Sequence, residues 1–294
     1  MQTVSALSPT LAIRQQSFKP AMAESSILSI EVGKDGLRFA VTDRHTECVW
    51  LEEYGFSSLL ADRPLADALP AICESHPVLS ADGWQQIRVS VNSPAFTLIP
   101  NALFRKEYVG SYLTLMRGND LPAHEYAHAY RHSDENFWSV FNIDHQLADY
   151  MGGLYPMQNL TFLHQTSALI RASALIDKAT ISTQNLTVYF EDEYATLIFR
   201  SNRKLLYCNR FGYKTARDLT YYVLYVIDEL RLEPYSVNAR LYGQITPYSE
   251  TYTALTEFLP HLHIGTSPPG LSFGPGFDDL PEHRFLSLYG LALL

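Results

Sequence analysis

Cysteine is scarce: the 294 residues hold three, Cys48, Cys73 and Cys208, an odd number with no C-x-x-C spacing. That excludes a disulfide framework, a zinc ribbon and a thioredoxin-like redox pair, and it fits free thiols in a reducing compartment. Long apolar runs are missing too. Nothing approaches the roughly 18 consecutive apolar residues a membrane helix needs, and the first residues lack the basic start and apolar run of a secretory signal. Basic side chains are in the minority, 22 Lys and Arg against 31 Asp and Glu, for a formal charge of −9. Phosphate backbones and anionic membranes are therefore repelled overall. These absences predict a cytoplasmic protein with no nucleic-acid partner and no membrane insertion. No Walker loop, G-x-G-x-x-G or G-x-S-x-G elbow occurs, and no nucleophile stands beside an evident base.

What is present is an apolar content of 47% in a chain long enough for two domains. Residues 1–24 are rich in Ser, Gln, Ala and Pro without sustained periodicity, and read as a mobile leader. Beyond them the chain repeats itself. LSIEVGKDGLRFAVTD from Leu28 aligns with LTVYFEDEYATLIFRS from Leu186, so that Leu28, Ile30 and Val32 match Leu186, Val188 and Phe190 at one constant offset. A slip of one residue then brings Tyr54-Gly55-Phe56 onto Phe211-Gly212-Tyr213. Period-2 apolar spacing bounded by turn residues predicts three-stranded meanders in both places.

A helical stretch and a further strand follow each meander: LADALPAICESH and QQIRVSVN in the first, TARDLTYYVLYVIDEL and SVNARLYG in the second. Thr215 and Asp218 have the spacing of a capping box, and Leu219, Tyr222, Val223, Val226, Ile227 and Leu230 form one stripe. The order β-β-β-α-β, occurring twice, predicts an α/β protein of two ribonuclease-H-like subdomains, each a mixed sheet flanked by helices. The boundaries this suggests are 25–155 and 156–294.

The run Ser29-Ile30-Glu31-Val32-Gly33-Lys34-Asp35-Gly36-Leu37-Arg38 resembles the first phosphate loop of the actin-like ATPases, especially the actin-like pilus-assembly proteins. The chain from Ile27 to its last residues, LLYCNRFGYKTARDLTYYVLYVIDEL and VNARLYGQI above all, resembles an uncharacterised bacterial family of unknown function with that fold. The resemblance implies an actin-like ATPase fold with a nucleotide cleft. It places Glu31 where an aspartate would orient magnesium, with Gly33, Lys34 and Gly36 in the first phosphate turn and Gly243 in the adenosine turn; the residues by themselves read as a solvent-facing strand position at Glu31, an ordinary hairpin turn at Gly33 and Gly36, and a strand end at Gly243. It also implies that this machinery is degenerate. Tyr189 stands in the second aspartate's place, Glu191-Asp192-Glu193 replaces the second phosphate turn, and Gly243-Gln244 replaces a Gly-Gly pair.

HEYAHAYRH raises a separate possibility, because His124, Glu125 and His128 match the zincin signature H-E-x-x-H. Asp134 falls at the metzincin third-ligand position, but Arg131 replaces the glycine that the intervening turn needs. The competing reading makes EYAHAYRH and FWSVFNID a hairpin around HSDEN, with Tyr126, His128, Tyr130 and His132 on one face. Nineteen tyrosines, three of them (Tyr221, Tyr222 and Tyr225) on one helix, add a candidate contact surface.

The function expected from all this is that of a non-catalytic interaction protein, a pseudo-ATPase that binds an unidentified protein partner. The alternative is an ATP-binding ATPase or kinase using ATP and magnesium with an atypical second loop, and the remote one a zinc peptidase.

Overall fold

Period-2 alternation builds both meanders. The computed structural model describes residues 8–34, 36–56 and 65–294. The chain forms two units, one of residues 1–167 with 272–278 and one of residues 168–271 with 279–294.

In the first unit the elements run β1 (Leu11–Arg14), β2 (Ile27–Val32), β3 (Gly36–Thr42), β4 (Glu47–Gly55), α1 (Leu65–Cys73), β5 (Gln86–Val91), β6 (Phe96–Pro100) and α2 (Val109–Arg117). They continue through β7 (Glu125–His132), β8 (Phe137–Asp144), α3 (His145–Leu154) and β9 (Leu160–His164). The main sheet has the order β1-β4-β3-β2-β5-β9. Its meander is antiparallel, and β5 and β9 continue it in parallel. Strands β6, β8 and β7 make a separate three-stranded antiparallel sheet. HEYAHAYRH is therefore strand and hairpin. Helix α3 starts where Asp144 accepts hydrogen bonds from the backbone N–H groups of Gln146 and Leu147, which satisfies donors the first turn leaves orphaned.

Of the stretch read as a leader, residues 1–7 lie outside the described residues, whereas Leu11–Arg14 pair antiparallel with β4. Four residues alternating Leu, Ala, Ile and Arg are too short a signal to stand out from a Ser- and Gln-rich context.

Helix α4 (Gln165–Lys178) leads into β10 (Gln184–Phe190), β11 (Tyr194–Ser201), β12 (Lys204–Gly212), α5 (Ala216–Glu229), β13 (Asn238–Gly243), α6 (Glu250–Thr256) and β14 (Leu262–Ile264). The two-residue β15 (Ser272–Phe273) returns to pair with β4, and α7 (Leu286–Ala292) ends the second unit. The second sheet has the order β12-β11-β10-β13-β14. The expected capping box on α5 is present, and its stripe buries Leu219, Val223, Val226 and Ile227 against Leu186, Val188 and Phe190 of β10. Burying each such side chain stabilises the fold by about 1.5–3 kcal/mol.

The duplication extends to hydrogen-bond register. Glu31 pairs with Arg38 on β3, and the corresponding Tyr189 pairs with Thr196 on β11. A β-bulge falls between Val41 and Thr42 in the first meander and between Phe199 and Arg200 in the second. Those positions are equivalent, so the bulge belongs to the repeated unit. It also adjoins the third strand, where the two sequences slip by one residue. The order meander, then parallel strands beyond a helix, is thus common to both units.

Candidate functional site

Glu31, Gly33, Lys34 and Gly36 lie at the first hairpin turn of the first unit, and Gly243 ends β13 beside Phe190, the residue before the equivalent turn of the second. In the first, the Gly33 N–H donates to the Gly36 carbonyl at 2.9 Å and closes the turn. Lys34 is exposed at its tip; Asp35 lies outside the described residues. Glu31 sits one strand residue back and is buried. It is held by Arg38, whose Nη1 donates to Glu31 Oε1 at 3.1 Å while its Nε donates to Glu53 Oε1 at 2.9 Å. One guanidinium thus ties β2, β3 and β4 together, and the carboxylate expected to face magnesium has a cation of the chain itself beside it.

The two glycines differ in what they are for. A Cβ on Gly36 would lie 2.4 Å from the Tyr54 carbonyl oxygen, so the close approach of β4 demands glycine there. At Gly33 the nearest atom is 3.8 Å away, and packing makes no such demand.

In the second unit the Glu191 N–H donates to the Tyr194 carbonyl at 3.0 Å, which is the same closure with different side chains. Glu191, Asp192 and Glu193 occupy the turn. A carboxylate about 5 Å from a phosphate charge costs on the order of 3 kcal/mol at an effective dielectric of about 20, and three of them oppose any polyanion. Behind the turn, the buried Tyr189 hydroxyl is 2.9 Å from Ser287 Oγ of α7. The side chain in the second aspartate's position is thus engaged inside its own unit. Gly243 has φ +81°, and a Cβ there would lie 2.2 Å from the Phe190 carbonyl oxygen. Its N–H donates to the His283 carbonyl at 2.9 Å, and His283 Nε2 is 2.9 Å from the Ile245 carbonyl. Steric need within the sheet accounts for this glycine, and the segment at His283 lies across its amide. Neither Ser287 nor His283 carried a sequence signal, because each reaches its partner from the far end of the chain.

The zincin arrangement fails on geometry. His128 lies on the extended β7 and His124 in the turn before it, whereas the signature needs both on one helix, one turn apart. Glu125, the would-be base, accepts from Asn142 Nδ2 at 2.6 Å. Among the described residues no group of three or more His, Cys, Asp or Glu side chains could hold a metal ion.

Among the buried titratable groups elsewhere in the first unit are Glu52 and His132. Glu52 on β4 is fully buried and receives Trp50 Nε1 at 2.9 Å and the Tyr54 hydroxyl at 2.6 Å. It also bonds to Arg14 Nε and lies 3.1 Å from His76 Nε2. Burial alone would raise its pKa, but the bonds from His76, Arg14 and Tyr54 outweigh burial and hold the carboxyl down at about 2. His132 on β7 has its Nε2 3.0 Å from both Ser139 Oγ and Ser167 Oγ, and burial lowers its pKa to about 4. On α5, Tyr222 stacks on Phe211 with centroids 4.8 Å apart, while Tyr221 and Tyr225 face outward.

No curated protein matches this sequence. Among solved structures, a protein with actin-like ATPase fold and unknown function from Bacteroides thetaiotaomicron is similar with a TM-score of 0.77 at 17% identity, over 94% of this chain and 99% of that one. The PilM–PilN type IV pilus biogenesis complex is similar with a TM-score of 0.62 at 14% identity, over 91% of this chain and 97% of that one. The chain has an actin-like ATPase fold, as the two meander units imply. Among the described residues no helix is long and apolar enough to cross a membrane. The match that extends over residues 15–262 identifies the group: the chain belongs to DUF3822, a family of proteins of unknown function.

Proposed function

We propose that the chain is a non-catalytic interaction protein of the cytoplasm, a pseudo-ATPase that keeps the actin-like scaffold and uses it to bind another protein. The observation that carries this reading is the second hairpin turn, whose backbone closes as the first one does but which presents Glu191, Asp192 and Glu193 where a phosphate would have to sit. Two details support it. Tyr189 is bonded to Ser287 rather than offering a carboxylate, and Glu31 is paired with Arg38. A protein of the same fold, PilM, occurs in a complex with PilN, so this scaffold is compatible with a protein-binding role.

The second reading is an ATP-binding protein that works from the first turn alone, through Glu31, Gly33, Lys34 and Gly36 with Gly243. It is favoured by Gly33, a glycine that packing does not require.

Thermal unfolding in increasing magnesium-ATP separates the two. A functioning site adds about 2.7 kcal/mol when ligand stands at a hundred times Kd, so the melting temperature would climb with concentration. The interaction reading expects no climb at millimolar nucleotide. A climb that disappears in Gly33→Trp overturns it.

A further inference from the structure

The two units treat the same sheet edge differently. In the first, the outer edge of β4 is covered by β1: the Thr10 N–H donates to the Glu53 carbonyl at 2.7 Å and the Gln15 N–H to the Val49 carbonyl at 3.0 Å. In the second, the corresponding strand β12 pairs with β11 alone among the described residues. Trp50 pairs with Val41 as Tyr207 pairs with Phe199, so the carbonyls that match those of Val49 and Glu53 are Leu206 and Arg210. The Arg210 N–H is bonded at 2.9 Å to the Asn209 side chain, which puts that amide on the open side rather than in the β11 ladder. Lys204 and Asn209 are exposed, and so is Leu206.

Charge is inverted between the two edges. Strand β4 carries Glu47, Glu52 and Glu53 and no base, and the strand that covers it brings Arg14 to bond Glu52. Strand β12 carries Lys204 and Arg210 and no acid. Between Tyr194 and Arg217 the chain holds six basic residues and no Asp or Glu, against a net charge of −9 overall. Like charges along β12 repel a second copy presenting the same edge.

We propose that the open edge of β12 is a strand-addition site for an extended, acidic segment of a partner protein. The segment takes the place that β1 takes on β4, antiparallel, with an acidic side chain opposite Lys204, while Arg210, on the other face of the strand beyond the bulge, keeps its guanidinium over the Tyr194 ring. Backbone hydrogen bonds supply affinity in this mode, and alternate side chains supply selectivity. Apolar contact is offered by the exposed Leu206 of β12 and by Tyr221 and Tyr225, stacked with centroids 6.2 Å apart beside the Phe211–Tyr222 pair. This rests on the reading of the chain as an interaction protein and names the chemistry of its partner.

The test is fluorescence anisotropy of a labelled hexapeptide of alternating glutamate and valine, titrated with the full chain. Saturable binding is expected, weakened by added salt and about five- to tenfold weaker in Lys204→Glu, an exposed site whose reversal leaves the core untouched. N-methylation of the peptide's alternate amides should abolish binding in one register and spare it in the other, because only one row of amides faces β12. Three results overturn the proposal: no saturable binding, equal binding of a lysine–valine peptide, or equal effects of the two methylated registers. A dimer of the chain that Leu206→Asp dissociates would also overturn it, by giving the edge to a second copy. Magnesium-ATP melts on the same preparation keep the two ideas apart: a nucleotide shift ends the pseudo-ATPase reading whatever the peptide does, and peptide failure without a shift leaves that reading standing.

Discussion

Replacing Glu52 by glutamine tests the physical account of the first unit where it is most quantitative. The carboxyl falls from 4.5 to about 2 on folding. At 1.36 kcal/mol per pKa unit this amounts to about 3 kcal/mol. Since the folded pKa lies below the unfolded one, the contribution is complete above pH 4.5 and is lost as pH falls toward 2. Glutamine keeps the volume and one acceptor oxygen, so Trp50 or Tyr54 can still donate. Its NH2 group, however, meets donors, and the guanidinium of Arg14 loses its counter-charge. Glu52→Gln should therefore destabilise by about 2–4 kcal/mol at neutral pH, and the gap from the parent protein should close as the parent's own carboxyl is protonated. All three tryptophans, Trp50, Trp84 and Trp138, lie in the first unit, so urea unfolding followed by tryptophan fluorescence reports that unit. A deficit below about 1 kcal/mol at pH 7, or one that stays constant between pH 5 and pH 3, would refute the reasoning.

His132 gives the same logic in a different window. Its folded pKa of about 4 lies below the unfolded 6.5, so the neutral ring contributes stability that is complete above pH 6.5 and is lost toward pH 4. The amount is about 3 kcal/mol, and His132→Gln should flatten that part of the stability–pH curve, measured by the same unfolding assay. Gly243→Ala should cost about 2–4 kcal/mol, because the added Cβ meets the Phe190 carbonyl at a left-handed φ. Gly33→Ala, with nothing within 3.8 Å, should stay within about 0.5 kcal/mol; equal losses in thermal melts would sink the distinction between the two glycines.

The elements legible in sequence were those whose signal is local. Leu28, Ile30 and Val32 alternate inward, Thr215 and Asp218 announce the start of α5, and the one-residue slip at Tyr54 and Phe211 foreshadowed a shared bulge. The hairpin at HEYAHAYRH was legible too, because its aromatic and imidazole rings alternate with small or charged residues. What escaped was set by distant partners. Tyr189 meets Ser287 across 98 positions, and the amide of Gly243 is covered by His283; neither partner stands in a recognisable motif. Strand β1 escaped because pairing with β4, rather than its own propensity, makes those four residues a strand. At Gly36 the resemblance implies phosphate chemistry and the residues themselves an ordinary hairpin turn, but the approach of the Tyr54 carbonyl, which no sequence pattern announces, also demands glycine there.

Backbone and side chains have different fates in the two units. The turn closure, the strand order and the bulge recur, and all of them are main-chain features that any residues of suitable propensity can satisfy. What changes is the set of side chains projecting from that frame: Glu31 against Tyr189, Gly33 against Glu191, the acidic β4 against the basic β12. A side chain that met only solvent could change without consequence, but Tyr189 is bonded to Ser287 and Arg38 bridges Glu31 to Glu53. Tyr189 and Glu31, at equivalent positions, are therefore each bonded within their own unit. At the second turn the Arg210 guanidinium already lies over the ring of Tyr194, 4.1 Å from its centroid, whereas a strand arriving at β12 would find Lys204 at the surface, with an exposed Leu206 to rest on. That contrast supports the proposal that β12 takes an acidic strand.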